Sequence, residues 1–180
     1  MHTARAQRTH DEEFSFNGWS LLALGDQDGD GLDDFAVGGP GYGPEGPESF
    51  VRVVLDLPAG DQQIMETGFG LLEEEHGSGV GASLVDSADL TGDGTDDLLI
   101  GAPSLGETGA VYVWPGPVTT QGALADASAI LTGAAEGCIL GRSALAVGDT
   151  DGDGLGEVIV GEAAAEDAVV HAYLVSGPLT

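Results

Sequence analysis

Three ten-residue stretches carry the residues best suited to chemistry: GDQDGDGLDD (25–34), ADLTGDGTDD (88–97) and GDTDGDGLGE (148–157). The first places five aspartates and three glycines in ten positions. Carboxylates this close repel one another, and the glycines raise the entropy cost of ordering them. A hard cation bound through oxygen would repay both costs. Counting from the leading Asp26, Asp89 and Asp149, the sixth positions are Gly31, Gly94 and Gly154, which permit a sharp turn, and a backbone carbonyl near position seven can add a ligand. An EF-hand needs Glu at position twelve and flanking helices. Here the twelfth positions are Val37, Ile100 and Val160, and the acidic residue falls at position nine, as Asp34, Asp97 and Glu157. The loops are therefore read as hairpin loops that wrap an ion with positions one, three, five and nine.

The elements that must position these loops repeat with them. The leading aspartates are spaced by 63 and then 60 residues. Each follows a Gly-x-Ser (Gly18 to Ser20, Gly81 to Ser83, Gly141 to Ser143) and precedes a further glycine (Gly38, Gly101, Gly161) at fixed offsets. Short apolar runs bounded by turn residues flank the loops: SLLAL, SLVDSA and SALAV before, and DFAVGGP, DLLIGAP and EVIVGEA after. A third run follows (50–57, 110–116, 169–177), and in the first two repeats a fourth (62–68, 128–133). No stretch keeps a 3.6-residue apolar period, and Gly and Pro are too frequent for long helices. Four strands per repeat of about 60 residues predict an all-β chain of β-propeller blades, three of four strands each.

Composition narrows the function. The 180 residues suffice for one domain with a core, and 42% are hydrophobic, which excludes an acidic disordered tail. Four Arg and no Lys stand against 31 Asp plus Glu, a formal charge of −27. Nucleic acid and anionic membrane surfaces are excluded as partners, since both need a basic face. No run of 18 apolar residues exists, so no membrane insertion is expected. The single Cys138 rules out an intramolecular disulfide and reads as a small buried apolar residue. The N-terminal MHTARAQRTHDEEF has no apolar segment of a signal peptide, so export would depend on a sequence upstream.

The combination of Gly-x-Ser, acidic loop, apolar strand, Gly-Ala-Pro and Gly-x-Val-Tyr-Val resembles the FG-GAP repeat of integrin alpha-subunit β-propellers and their bacterial relatives. Residues 79–114, GVGASLVDSADLTGDGTDDLLIGAPSLGETGAVYVW, carry the resemblance most fully, and it extends over about residues 14–178. It implies three blades over 14–180 (about 14–70, 71–133 and 134–180) after an N-terminal segment 1–13, and Ca2+ in each of the three loops. By position the ligands would be Asp26, Asp28, Asp30 and Asp34; Asp89, Asp93 and Asp97, with Thr91 at the third position; and Asp149, Asp151, Asp153 and Glu157. Carbonyls would come from Leu32, Thr95 and Leu155. Thr91 leaves the second loop one carboxylate short, so that site is expected to be the weakest. VGEA replaces Gly-Ala-Pro in the third repeat, which predicts a looser second strand there.

The resemblance implies a calcium-binding module for adhesion, protein interaction or self-assembly, not an enzyme. A carbohydrate-binding propeller and a non-catalytic fragment of a polysaccharide- or lipid-degrading enzyme are the alternatives. Cytosolic Ca2+ is too scarce for loops of ordinary affinity, so the extracellular space, cell surface or periplasm is expected. Tyr42, between second and third strands, is the nominated ligand contact, and Trp19 and Trp114 are expected to pack between blades. Glu73, Glu74, Glu75 and His76 read as a solvated turn. Three blades are too few for a ring, since propellers close with about four to eight. Closure is expected through a longer propeller or through oligomerisation, as a six-bladed homodimer or a filament. Residues 3–10 would then serve as a closing strand against 169–175.

Overall fold

The computed structural model describes residues 18–41, 49–56, 68–72, 77–86, 88–164 and 171–179. These form three sheets of twelve strands. The first sheet holds β1 (Ser20–Gly25), β2 (Asp34–Gly39), β3 (Phe50–Val54) and β4 (Phe69–Leu72), antiparallel in chain order. The second holds β5 (Ser83–Asp86), β6 (Leu98–Ala102), β7 (Ala110–Trp114) and β9 (Ala129–Thr132). The third holds β10 (Cys138–Gly148), β11 (Glu157–Ala164) and β12 (His171–Ser176). This is the all-β blade arrangement expected from the repeat.

The blades stack through apolar rows that cross each sheet. Leu22, Ala36, Val53 and Phe69 lie in one register row of the first blade. They pack into a core with Leu84, Leu98, Ile100 and Tyr112 of the second. The corresponding row of the second blade, Val85, Leu99, Val113 and Ala129, packs with Val158, Val160, Tyr173 and Val175 of the third. Each blade thus buries one face against its neighbour, as alternating strand residues require.

The Gly-x-Ser motif is the polar fastening of the same seams. The Ser20 hydroxyl donates to the Gly81 carbonyl at 2.7 Å, and the Ser83 hydroxyl to the Gly141 carbonyl at 2.9 Å. Opposite Ser20 and Ser83 the recurring glycine exists because the blades approach too closely for a side chain. A Cβ at Gly38 would stand 2.3 Å from the Gly81 carbonyl oxygen, and one at Gly101 2.0 Å from that of Gly141. Ser83→Ala is expected to cost about 1 kcal/mol through the lost hydrogen bond. Gly101→Ala should cost about 3 kcal/mol or more, because the next blade must retreat. Urea unfolding midpoints test the ranking, and equal losses would contradict it.

Three details differ from the sequence reading. The strand beside β3 is β4 at Phe69–Leu72, not 62–68; residues 62–67 lie outside the described set. The outer strand keeps the repeat's register, since β4 and β9 both begin twelve residues before the next Gly-x-Ser glycine. Next, β8 (Gly122–Ala123) leaves the second blade and pairs in parallel with β4, making the first sheet five-stranded. A 3-10 turn, Leu124–Asp126, follows it and buries Leu124 in the first core. A side chain at Gly122 would meet the Trp114 indole at 2.5 Å, so that indole packs at the seam as expected, whereas Trp19 is 55% exposed.

The third difference concerns VGEA. The second strand there is not loosened: β11 runs eight residues, against six in β2 and five in β6. Glu162 is the reason. Its buried carboxylate accepts the Ala134 N–H of the loop between β9 and β10 at 2.9 Å and the Tyr173 hydroxyl at 2.8 Å, with His171 Nδ1 3.4 Å away. These donors hold its carboxyl below the usual range, the Ala134 N–H foremost. Half-buried Cys138 lies beside it, and its thiol is pushed up by burial and by that carboxylate. The proposed closing strand at 3–10, the acidic turn at 73–76 and Tyr42 all lie outside the described residues.

Candidate metal centres

Each acidic loop folds around its first aspartate. Asp26 Oδ1 accepts the N–H groups of Gly29 and Asp30 at 2.7 and 3.1 Å, and Oδ2 accepts that of Gly31 at 2.9 Å. Asp89 holds Gly92, Asp93 and Gly94 in the same way, and Asp149 holds Gly152 and Gly154. The turn needs positive φ at two positions per loop, and Gly29 (82°) and Gly31 (89°) supply it in the first. Asp30, Asp93 and Asp153 cap the turn by accepting the N–H of Leu32, Thr95 and Leu155 at 2.7, 2.9 and 2.8 Å. Hydrogen bonds from the hydroxyl and N–H of Thr95 hold the Asp93 carboxyl below its ordinary value.

The position-nine residues separate the loops. Asp34 is 1% exposed; its Oδ2 accepts the Gln27 N–H at 2.7 Å, and its Oδ1 is buried with no hydrogen-bond partner. Glu157 repeats this: Oε2 accepts the N–H of Thr150 at 2.6 Å and its hydroxyl, and Oε1 is buried and unpartnered. Asp97 is as deeply buried, yet both its oxygens are engaged. Oδ2 accepts the N–H groups of Leu90 and Thr91 at 2.7 and 2.9 Å. Oδ1 accepts the Gly116 N–H at 3.2 Å and the Thr91 hydroxyl at 3.4 Å.

Two cation-competent groups result. Asp26, Asp28 and Asp34 each offer an oxygen, all within 4.8 Å of one another, and so do Asp149, Asp151 and Glu157. One ion with oxygen ligands at about 2.3–2.6 Å can touch three atoms so spaced. A buried carboxylate oxygen without a partner is costly, and a cation removes that cost. The residues present therefore fit a hard divalent ion in loops one and three. Asp89, Asp93 and Asp97 form no such group among the described residues, because Thr91 stands where Asp28 and Asp151 stand and closes on Asp97 instead. Asp30 and Asp153 lie outside the two groups, as turn caps. Burial raises the Asp34 carboxyl above its ordinary value; the Gln27 N–H opposes this, and Asp28, Asp26 and Asp30 add to it. Burial likewise raises Asp97, against the N–H groups of Leu90, Gly116 and Thr91.

The loops also lie on the seams between blades, which repeat comparison did not reveal. Gln27 accepts the Val118 N–H through Oε1 at 2.9 Å, and the Leu90 carbonyl accepts the Leu179 N–H at 2.7 Å. Asp89 accepts the Gly156 N–H through its carbonyl at 2.8 Å. Position two of the loops is Gln27, Leu90 and Thr150, so no shared residue type marks this role.

Residues 81–114 match the FG-GAP repeat. Phosphatidylinositol-glycan-specific phospholipase D of Bos taurus is 35% identical over 156 residues, covering 80% of this chain and 18% of the relative. Integrin alpha-5 of Xenopus laevis is 30% identical over 174 residues (87% and 16%), and integrin alpha-PS2 of Drosophila melanogaster 36% over 118 (61% and 8%). The chain thus spans less than a fifth of the length of these relatives. Shared repeat, blade topology and acidic loops together make the chain a member of the FG-GAP repeat family of β-propeller proteins.

Proposed function

We propose that this chain is a calcium-stabilised propeller segment that works by binding and not by catalysis, outside the cytosol. The two unpartnered buried oxygens, Asp34 Oδ1 and Glu157 Oε1, carry this reading. Each closes a ring of carboxylates that Ca2+, tolerant of irregular oxygen shells, suits better than Mg2+, which requires a near-ideal octahedron. Loop two is read as a self-satisfied copy, so the expected stoichiometry is two ions, not one per repeat. Its carboxylates, and that of Glu162, accept hydrogen bonds that hold the fold. The phospholipase named among the relatives is a far longer protein, and its reaction is not assigned to this chain. Calorimetric titration of metal-free protein should show two Ca2+ bound, with Mg2+ a poor competitor. Absence of binding, or equal affinity for Mg2+, would overturn the reading.

A partner protein is the proposed target. A glycan is the second reading, drawn from Trp19, which lines a cleft with Pro103, Ser104 and Arg142 on the Gly-x-Ser side of the blades. An indole and an arginine lining one cleft suit sugar stacking and hydroxyl recognition. A glycan array separates the two.

A further inference from the structure

The two outer faces of the blade stack match each other as the inner faces do. The row Leu22–Ala36–Val53 of the first blade is covered by the second, and Val85–Leu99–Val113 of the second by the third. In the third blade the same row is Leu145–Ile159–Leu174. Leu145 is 59% exposed and Leu174 61%. At the opposite end, Leu21 of the first blade occupies the register position of Leu84, which is buried in the first core. Leu21 is 70% exposed.

The fastening motif shows the same asymmetry. Ser20 and Ser83 each donate to the glycine carbonyl of the following blade. Ser143, at the equivalent place, is exposed and has no acceptor among the described residues. The glycines that accept are pressed against the blade before them: a Cβ at Gly81 would lie 2.7 Å from the Phe50 carbonyl oxygen, and one at Gly141 2.1 Å from that of Ala110. Gly18 has nothing within 4 Å. Among the described residues, one end therefore carries a donor without an acceptor beside exposed leucines, and the other a glycine carbonyl without a donor beside an exposed leucine.

We propose that a second copy of this chain docks head to tail. Its first blade would cover Leu145, Ile159 and Leu174, and its Gly18 carbonyl would accept the Ser143 hydroxyl. The contact would be the third use of an interface the chain already makes twice internally. The relation is heterologous, one face against a different face, and two such contacts close a ring of two copies with six blades. The −27 charge of each copy opposes association, so salt or divalent cations should tighten it. The proposal rests on the blade reading and not on calcium, so metal titration and mass measurement can fail independently.

Light scattering on the full chain at several concentrations tests it. A species of twice the 18.1 kDa chain mass is expected. Leu21→Asp and Leu145→Asp each place an unpaired charge in every contact and should weaken association about a hundredfold. Both positions are exposed, so folding should survive, as circular dichroism would show. Mixing the two variants leaves one contact in which both faces are intact, so dimers should reappear in the mixture alone. Ile130→Asp, an exposed position on the outer strand of the second blade, should leave association unchanged. A folded wild-type monomer at every concentration would overturn the proposal. So would a Leu21→Asp protein that still dimerises by itself, since that requires a symmetric face-to-same-face contact.

Discussion

Chelation of the calcium-loaded protein is expected to lower its melting temperature by roughly 10–20 °C. Each of two sites held at about one hundred times its dissociation constant contributes about 2.7 kcal/mol, and a domain of this size shifts about 2–4 °C per kcal/mol. The physical cause lies in the empty loops. Without a cation, Asp34 and Glu157 each bury an oxygen that nothing satisfies, beside other carboxylates. Acidity should then act in opposite directions on the two forms. In chelator, the native state holds a proton on Asp34 more tightly than the unfolded chain does, because its carboxyl is raised above 3.8. Stability therefore increases as pH falls from neutrality through that raised value, and Asp86 and Asp97, also raised by burial, act in the same sense. The gain is opposed below about 4.5, where the unfolded chain takes up a proton at Glu162 before the native carboxyl, lowered from 4.5, does. In Ca2+ the same acidification competes the ion off and destabilises. Calorimetric scans with and without chelator check both signs, and identical melting in the two buffers would end the structural-calcium reading.

The second large effect separates two buried carboxylates that look alike in sequence. Asp34→Asn should remove calcium binding at its own loop, costing about 2.7 kcal/mol in saturating Ca2+. In chelator it should cost little, since the amide keeps the acceptor for the Gln27 N–H and removes a buried charge. Asp97→Asn should behave differently. Both Asp97 oxygens accept hydrogen bonds, and the amide nitrogen would face donors it cannot accept. A loss of about 3 kcal/mol is expected, equal with and without Ca2+. Denaturant titrations of both variants in both buffers supply the comparison. An Asp97→Asn penalty that appeared only in Ca2+ would show that the second loop is a metal site like the others.

Much of this was legible in the chain. The blade pattern follows from short apolar runs and turn residues at fixed offsets, because buried strands are apolar and Gly-rich loops must turn. The first Asp of each loop and its glycines were readable for the same reason. What the sequence concealed depends on contacts between repeats. Thr91 was visible as a missing carboxylate, but not that its N–H and hydroxyl would satisfy Asp97. Asp30 and Asp153 look like ligands by position; the geometry shows in addition that each caps its turn through one oxygen and lies outside the three-carboxylate group. VGEA read as a defect because Glu in a strand is normally unfavourable; the Ala134 N–H and the Tyr173 hydroxyl that reward it come from distant segments. The two-residue β8 is too short to have any pattern at all.

That short strand has a consequence for how the molecule comes apart. Repeat arrays commonly unzip one unit at a time, because each unit touches only its neighbours through an interface. Here the backbone of Gly122 and Ala123 is hydrogen-bonded into the first sheet, while Leu124 beside it anchors in the first core. The first blade cannot fray outward from β4 without pulling on the chain between β7 and β9. Blades one and two should therefore open as a single unit in native-state hydrogen exchange, with amides of β4 and β6 sharing one opening free energy. The third blade is tied to the second by single backbone bonds, such as the Leu140 N–H to the Thr108 carbonyl at 3.1 Å, and among the described residues no strand of the second blade's chain joins its sheet, so its amides should exchange first.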